Sequence, residues 1–441
     1  MPATPITRRA LLGAAGAVGA VGASTPWSTS RGTPQVTGPA QADELVGSFG
    51  IGVHLNFRGS VYSRHNEVRR WLRHLGVRHV RTRLSVIPEA LDSFAELARD
   101  GIKIQGVCGA FGDDQPMDEL MASVRRRFTR PERAFSAFEG INEPNNNGVV
   151  WITETREKTQ ALHAARQAYG LTRIPILAPA LASVPSGGVE GDTTLDQAQQ
   201  LGNMQDRVDF GNMHVYPRGL QPSSEIDYFR SCSSFVTGPL PIMCTEGGYF
   251  TAMDYQGGAH PVPESVAAAY APQAVLEHWL AGTKRFFRYE LLDEPDAGTT
   301  DREGTLGMIS TTGGVWRPKQ DFRTVRRLLA AFRDPGPSFQ PRRCTLSLND
   351  SPDDLRHAVF AKRNGSHVLA LWLDRPIYDP SERRLLVKDL AQPLTSVRLD
   401  LGQRRDVKIV HLADLTSPAR RTTDRRLRVR LTSGVTLVTI R

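Results

Sequence analysis

The chain has 441 residues, 40% hydrophobic and 23% charged, with a formal net charge of +9. That length exceeds a usual single domain, and the composition excludes widespread disorder. Beyond the first residues no apolar run reaches membrane-spanning length, and the scattered arginines form no nucleic-acid-binding motif, so no nucleic-acid partner is expected.

The start of the chain differs from the rest. Thr7-Arg8-Arg9-Ala10-Leu11-Leu12 leads into a small-residue apolar stretch, Gly13 to Ala23. A charged start, an apolar middle and exits at Val21-Gly22-Ala23 or Ala40-Gln41-Ala42 resemble a twin-arginine export signal. Residues 1–42 are expected to be this signal and a disordered linker. The mature protein would be secreted or held in the cell envelope, with no stable membrane insertion. The segment carries three arginines and no acid, so the mature net charge is +6, compatible with anionic envelope polymers. Cys108, Cys232, Cys244 and Cys344 show no C-x-x-C pair and no metal spacing. No metal and no obligatory disulfide are expected, and Cys108 and Cys244 read as buried thiols.

Residues 43–335 repeat one grammar: apolar strand, loop, amphipathic helix, glycine, next strand. The first strand is Phe49 to Leu55. In the helix from Ser63 to Leu75, Val68, Trp71, Leu72 and Leu75 recur at helical spacing, and Gly76 stops it. Val77 to Leu84 is the second strand, followed by a helix from Pro88 to Asp100. Ile102 to Val107 and Ala134 to Ile141 are the third and fourth. Ile174 to Ala178, Val208 to Val215, Pro241 to Cys244 and Arg285 to Leu292 complete the set. Helices are predicted between them at Thr155 to Tyr169 and Val275 to Leu280. Eight strands alternating with helices imply a closed (β/α)₈ TIM barrel. No Gly-rich phosphate fingerprint follows the first strand, against an open doubly wound sheet.

Asp334-Pro-Gly-Pro337 punctuates the chain, and residues 336–441 read as a C-terminal antiparallel β-sandwich of six or seven strands. Asn364-Gly365, between His357 to Arg363 and Ser366 to Leu373, predicts a two-residue hairpin turn. Arg426-Leu-Arg-Val-Arg-Leu431 alternates strictly, placing its arginines on a solvated face. No aromatic platform for sugar is visible there, so packing against the barrel is its expected role.

Two stretches carry the chemistry. Ala137 to Asn147 reads A-F-E-G-I-N-E-P-N-N-N, a strand ending as it presents Glu143, with Asn142 beside it. Pro144 has no N–H and disfavours helix for Glu143. Pro241 to Tyr249 repeats the pattern, ending at Glu246 before two glycines expected to leave room for a ligand. Active sites of such barrels lie at the C-terminal strand ends, so the two carboxylates would meet in one pocket. Glycoside hydrolysis needs such a pair, about 5–5.5 Å apart if configuration is retained and about 6.5–9.5 Å if inverted.

Asn142-Glu143-Pro144 after strand four, His214-Val-Tyr216-Pro217 after strand six and Thr245-Glu246-Gly247 after strand seven resemble clan A glycoside hydrolases, families 39 and 5 above all. The resemblance covers about residues 46–333, and a sandwich is also common in family 39-like enzymes. It implies an enzyme without a cofactor, acting on a carbohydrate substrate, and a monomer. Glu143 would be the general acid/base and Glu246 the nucleophile. Asn142 would bond the sugar 2-hydroxyl, Tyr216 would donate to the nucleophile, and His214 would line the subsite near it. An arginine ending strand two would support the nucleophile; Arg81 and Arg83 share a face, and either fits. His54 and Asn56, after strand one, are candidate sugar contacts. The clan's tryptophan at the end of strand eight is missing, and Tyr289 is the candidate platform. Glu290 and Asp293 are alternatively expected to pair with Arg285 or Arg288.

Three other readings stand beside this one. An inverting hydrolase would separate the carboxyl groups further, and a transglycosylase would look the same in sequence. A non-catalytic glycan-binding or envelope protein would show widely separated carboxylates, or an arginine salt bridge on either glutamate.

Overall fold

The computed structural model describes residues 39–57, 59–109, 115–146, 150–182, 192–294 and 300–441. The export-signal motif and Asn147 lie outside the described residues. No helix among the described residues is long and apolar enough to cross a membrane.

The barrel strands are β1 (Phe49–Gly52), β2 (His79–Arg83), β3 (Lys103–Val107), β4 (Phe135–Glu139), β5 (Ile176–Leu177), β6 (Gly211–Val215), β7 (Ile242–Gly247) and β8 (Phe286–Arg288). They form one parallel sheet in which each strand pairs with the next in sequence from β1 to β5 and from β6 to β8, while β8 returns to β1. A single parallel bridge, Leu177 to Phe210, links the β5 and β6 edges and completes the ring. Both faces are covered, so strand residues are buried almost without alternation: β6 and β7 are buried throughout.

The helices are α1 (Ala42–Gly47), α2 (His65–Leu75), α3 (Pro88–Arg99), α4 (Met117–Arg127), α5 (Trp151–Ala168), α6 (Thr194–Leu201), α7 (Ile226–Thr237), α8 (Glu264–Leu280) and α9 (Gln320–Phe332). The apolar stripe of α2 buries Val68, Leu72 and Leu75, and Gly76 ends it at φ +85° while its N–H bonds the Leu72 carbonyl. α8 is far longer than the expected Val275 to Leu280. Its residues Val266 to His278 are all buried, because the barrel covers one side and the C-terminal region the other. A helix apolar all round has no amphipathic period to read.

The C-terminal strands are β9 (Ser347–Asn349), β10 (Leu355–Ala361), β11 (His367–Leu373), β12 (Thr395–His411), β13 (Arg420–Leu431) and β14 (Thr436–Ile440). They join a single seven-stranded sheet. The register of β12 against β13 shifts between Asp400 and Arg405. Its first half pairs with β9 and its second with β14. The sheet therefore folds over one core containing Val359, Leu369, Val397, Leu399, Val429 and Val438. Thr395–His411 is thus one strand shared between the two halves of the sheet.

Two local expectations need correction. Ala40–Gln41 is not disordered but pairs in parallel with Phe360–Ala361 of β10. The β10–β11 connection is a three-residue loop, since Ala361 pairs with His367 and the Lys362 N–H meets the Ser366 carbonyl. Only Gly365 is left-handed, at φ +81°, whereas the two-residue turn needs positive φ at both positions. The arginine alternation in β13 is as read: Arg426, Arg428 and Arg430 are exposed and Leu427, Val429 and Leu431 buried.

Candidate active site

The C-terminal ends of β2, β4, β6 and β7 bring Arg81, Asn142, Glu143, His214, Tyr216 and Glu246 together. Arg81, 6% exposed, organises them. Its Nε and Nη2 donate to Glu139 at 2.8 and 2.7 Å, its Nη1 to Glu246 Oε1 at 2.5 Å, and Nη2 also to Asn142 Oδ1 at 2.6 Å. Of the two arginines left open by the sequence, Arg81 makes the contact to Glu246.

Glu139 was not singled out from sequence. It is fully buried inside β4 and also accepts from Gln105 at 2.8 Å and Thr245 at 3.0 Å. Burial opposes its charged form, but the guanidinium outweighs burial and its pKa falls. A carboxylate in the middle of an apolar strand, two residues from Ala137, was the available signal.

Glu143 leaves the strand in the left-handed region, φ 45°, where a non-glycine residue stores strain. Its N–H bonds the Ala180 carbonyl, and Asn145 ties the turn down through Ala182 and the Gln197 amide. The carboxylate accepts from Asn146 at 3.2 Å and lies 2.8 Å from His214 Nδ1. The Thr245 hydroxyl donates to Glu139, so it accepts from His214 Nε2, 3.0 Å away. With Nε2 carrying that hydrogen, His214 Nδ1 faces the Glu143 carboxyl. Burial lowers the His214 pKa, but the charges of Glu246 and Glu143 outweigh it and raise it overall.

Glu246 Oε2 accepts from the Tyr216 hydroxyl at 2.7 Å. Burial pushes its pKa up, yet His214, Arg81 and Tyr216 together pull it below the ordinary carboxylate value. Tyr216 is held neutral by burial and by Glu246, and so remains a donor. Glu143, His214 and Glu246 place one oxygen or nitrogen each within 4.8 Å of one another.

A second cluster lies between β1 and β8. His54 Nε2 is 2.9 Å from the Tyr289 hydroxyl and 3.3 Å from Glu290, and its ring stacks on Phe57 at 4.4 Å. Glu290, fully buried, accepts from Tyr62 at 2.5 Å, and its Oε1 has no partner among the described residues. Tyr289, the candidate platform, packs with Tyr216 and Tyr255 against the cluster of Phe250, Ala252 and Leu306. Asn56 has a buried Oδ1 without a partner among the described residues, and no contact joins it to the glutamates.

Arg302 and Glu303 were missed because they follow the last barrel strand in a segment without periodicity. Arg302 lies over the Tyr216 ring at 5.4 Å. Burial lifts the Glu303 pKa to about 7, Arg302 opposing and Glu290 and Glu246 assisting.

Two expectations fail here. Gly247 and Gly248 make room for the barrel itself: a Cβ on Gly247 would meet the Val215 carbonyl at 2.5 Å, and one on Gly248 the Arg288 guanidinium at 2.5 Å. Nor does Glu290 or Asp293 pair with Arg285 or Arg288. Asp293 pairs with Lys319 at 2.7 Å, Arg288 lies 3.5 Å from Asp321, and Arg285 bonds the Gly47 carbonyl.

His54, Glu290 and Glu294 are also close enough to share a cation. Hydrogen bonds to Tyr62 and Tyr289 already engage the first two.

Among solved structures, a family 39 glycoside hydrolase from Bacteroides cellulosilyticus superposes with TM-score 0.58 at 13% identity, over 93% of this chain and 83% of that one. The fold is that of family 39 glycoside hydrolases. A monomeric beta-xylosidase from Caulobacter crescentus gives 0.57 at 13% identity, over 92% and 97% of the two chains. A glucosidase from Croceicoccus marinus gives the same values. No protein-family model and no curated protein matches the chain.

Proposed function

We propose that the protein is an exported, retaining glycoside hydrolase acting on an extracellular glycan. The observation that carries this reading is the meeting of Glu143 and Glu246 at one rim with an oxygen of each within 4.8 Å, an approach that suits the close carboxyl pair of retention better than the wider pair of inversion. Glu246, kept ionised by Arg81, His214 and Tyr216, attacks the anomeric carbon. Glu143 delivers a proton to the leaving oxygen, then takes one from water in the second step. Asn142, fixed by Arg81, presents its amide to the 2-hydroxyl. Glu290, Glu294 and Glu303 suit the hydroxyls of an uncharged sugar and would repel a uronate. The fold neighbours named as a xylosidase and a glucosidase fit that class.

The Arg81–Glu246 ion pair is the one observation favouring a non-catalytic glycan-binding protein. Arg81 is turned mainly to Glu139, however, and Glu246 keeps its second oxygen on a neutral tyrosine, an arrangement that orients a nucleophile.

The test is cleavage across a panel of neutral polysaccharides and aryl glycosides, with product stereochemistry followed by NMR. Glu246→Ala is expected to lose on the order of 10⁴- to 10⁶-fold in kcat, and Glu143→Ala about 10²- to 10⁴-fold, both still melting cooperatively. Variants that cleave like wild type, or an inverted product, would overturn the assignment. Binding without cleavage would establish the non-catalytic reading.

A further inference from the structure

The positive charge of this chain is segregated. Residues 336–441 hold 20 Lys and Arg against 11 Asp and Glu, a net +9, while residues 43–335 hold 32 against 35, a net −3. Part of the excess gathers on the outer face of β12, β13 and β14. Lys408 stands opposite Arg421 of β13 and Thr439 of β14. Val407, Ile409, Val438 and Ile440 fill the core beneath, so the two-residue period sends Lys408, Arg421 and Arg441 outward together. A cleft of about 340 Å³ lies on this face, lined by Asp406, Lys408, Arg421, Thr423 and Arg441 among others. A second cleft of about 440 Å³ adjoins it at Arg441, and its lining includes Arg342, Arg343 and Arg405 with no carboxylate side chain.

Among the described residues, these basic groups lack the carboxylate partners that their neighbours have. Arg398 pairs with Asp350, and Arg425 and Arg426 with Asp400. Among the described residues, no carboxylate side chain comes within ion-pair distance of Arg342, Arg343, Arg405, Arg421 or Arg441. The one acid in the clefts, Asp406, accepts from the Thr423 hydroxyl at 2.6 Å. Guanidinium forks left without counter-charge along two joined clefts match regularly spaced carboxylate or phosphate groups better than they match neutral sugar.

We propose that the two clefts form one binding site for an acidic polysaccharide. The choice of a glycan over other polyanions rests on the hydrolase reading of the barrel; the charge complementarity does not. Bound there, the polymer would hold the enzyme where its own net-acidic barrel would otherwise be repelled.

The experiment is fluorescence anisotropy on the full chain with labelled polygalacturonate, neutral dextran and duplex DNA. The Arg342→Gln/Arg405→Gln/Arg421→Gln variant changes exposed side chains and is expected to melt and cleave as wild type. Polygalacturonate should bind, more weakly as NaCl rises past ~0.1 M, and the variant should bind on the order of tenfold more weakly or worse. Equal binding by the variant, or equal binding of dextran, would overturn the proposal. DNA bound more tightly than polygalacturonate would also overturn it, marking a nucleic-acid surface. Glu246→Ala should bind polygalacturonate like wild type. A chain that cleaves glycans but ignores polygalacturonate sinks this proposal alone, whereas binding without any cleavage sinks the hydrolase reading alone.

Discussion

The barrel and the sandwich treat arginine in opposite ways. In the barrel, Arg81 is buried and surrounded by Glu139, Glu246 and Asn142; in β13, Arg426, Arg428 and Arg430 stand on a solvated face. The first arrangement costs desolvation, tolerable only because each charge meets a partner at hydrogen-bond distance. The second costs almost nothing and contributes little to stability. Charge in the barrel is therefore an ordered network whose members depend on one another, while charge on the sandwich stands in solvent, some of it in exposed pairs such as Arg426 with Asp400.

Breaking one member of the buried network should show the largest effect on folding. Glu139→Ala leaves Arg81 with only Glu246 and Asn142, and urea unfolding is expected to register a loss of about 3–5 kcal/mol. A loss near zero would mean that Arg81 relaxes to water and that the network is not cooperative.

The seam between the two regions should respond to pH. Trp372 of β11 donates to Glu277 of α8 at 2.6 Å, with Arg356 at 3.9 Å and Asp374 nearby. Burial lifts the Glu277 pKa from the ordinary 4.5 to about 7, Trp372 and Arg356 opposing and Asp374 assisting. The folded state therefore holds this proton more tightly than the unfolded chain does. Its contribution is fully present below about 4.5 and is lost as pH rises through about 7. Glu277→Gln keeps an acceptor for Trp372 without the titration. The melting temperature of Glu277→Gln relative to wild type should rise between those two pH values and level off above; a constant difference would refute the buried, titrating carboxylate.

The smallest effect is expected on the sandwich face. Arg428→Gln should change unfolding free energy by less than about 0.5 kcal/mol, and a larger loss would show that the 3.5 Å contact to Ser396 supports the fold.

Much of this contrast is legible without coordinates. Period-2 alternation from Arg426 to Leu431 states which side chains face water, and alternating strands and helices up to Phe332 state the barrel. The N-E-P, H-x-Y-P and T-E-G motifs name Glu143, His214, Tyr216 and Glu246 because each ends a strand at the same rim. Glu139 is harder to see: on a strand buried on both faces, no period separates a structural carboxylate from a catalytic one. The length of α8 is hidden for the same reason, since a helix covered on all sides has no polar face to mark it.

The sequence alone determined the order of the elements, the rim on which the chemistry-bearing side chains fall, and the solvated arginine face. These follow from local period and from turns. Tertiary structure alone decided that Arg81 makes the contact to Glu246, that His214 faces Glu143 at hydrogen-bond distance, that the glycines after Glu246 accommodate Val215 and Arg288, and that arginines without a carboxylate partner among the described residues meet at Arg441. Each depends on distances between residues far apart in the chain, set by barrel closure and by the fold of the sheet, and no local pattern encodes them.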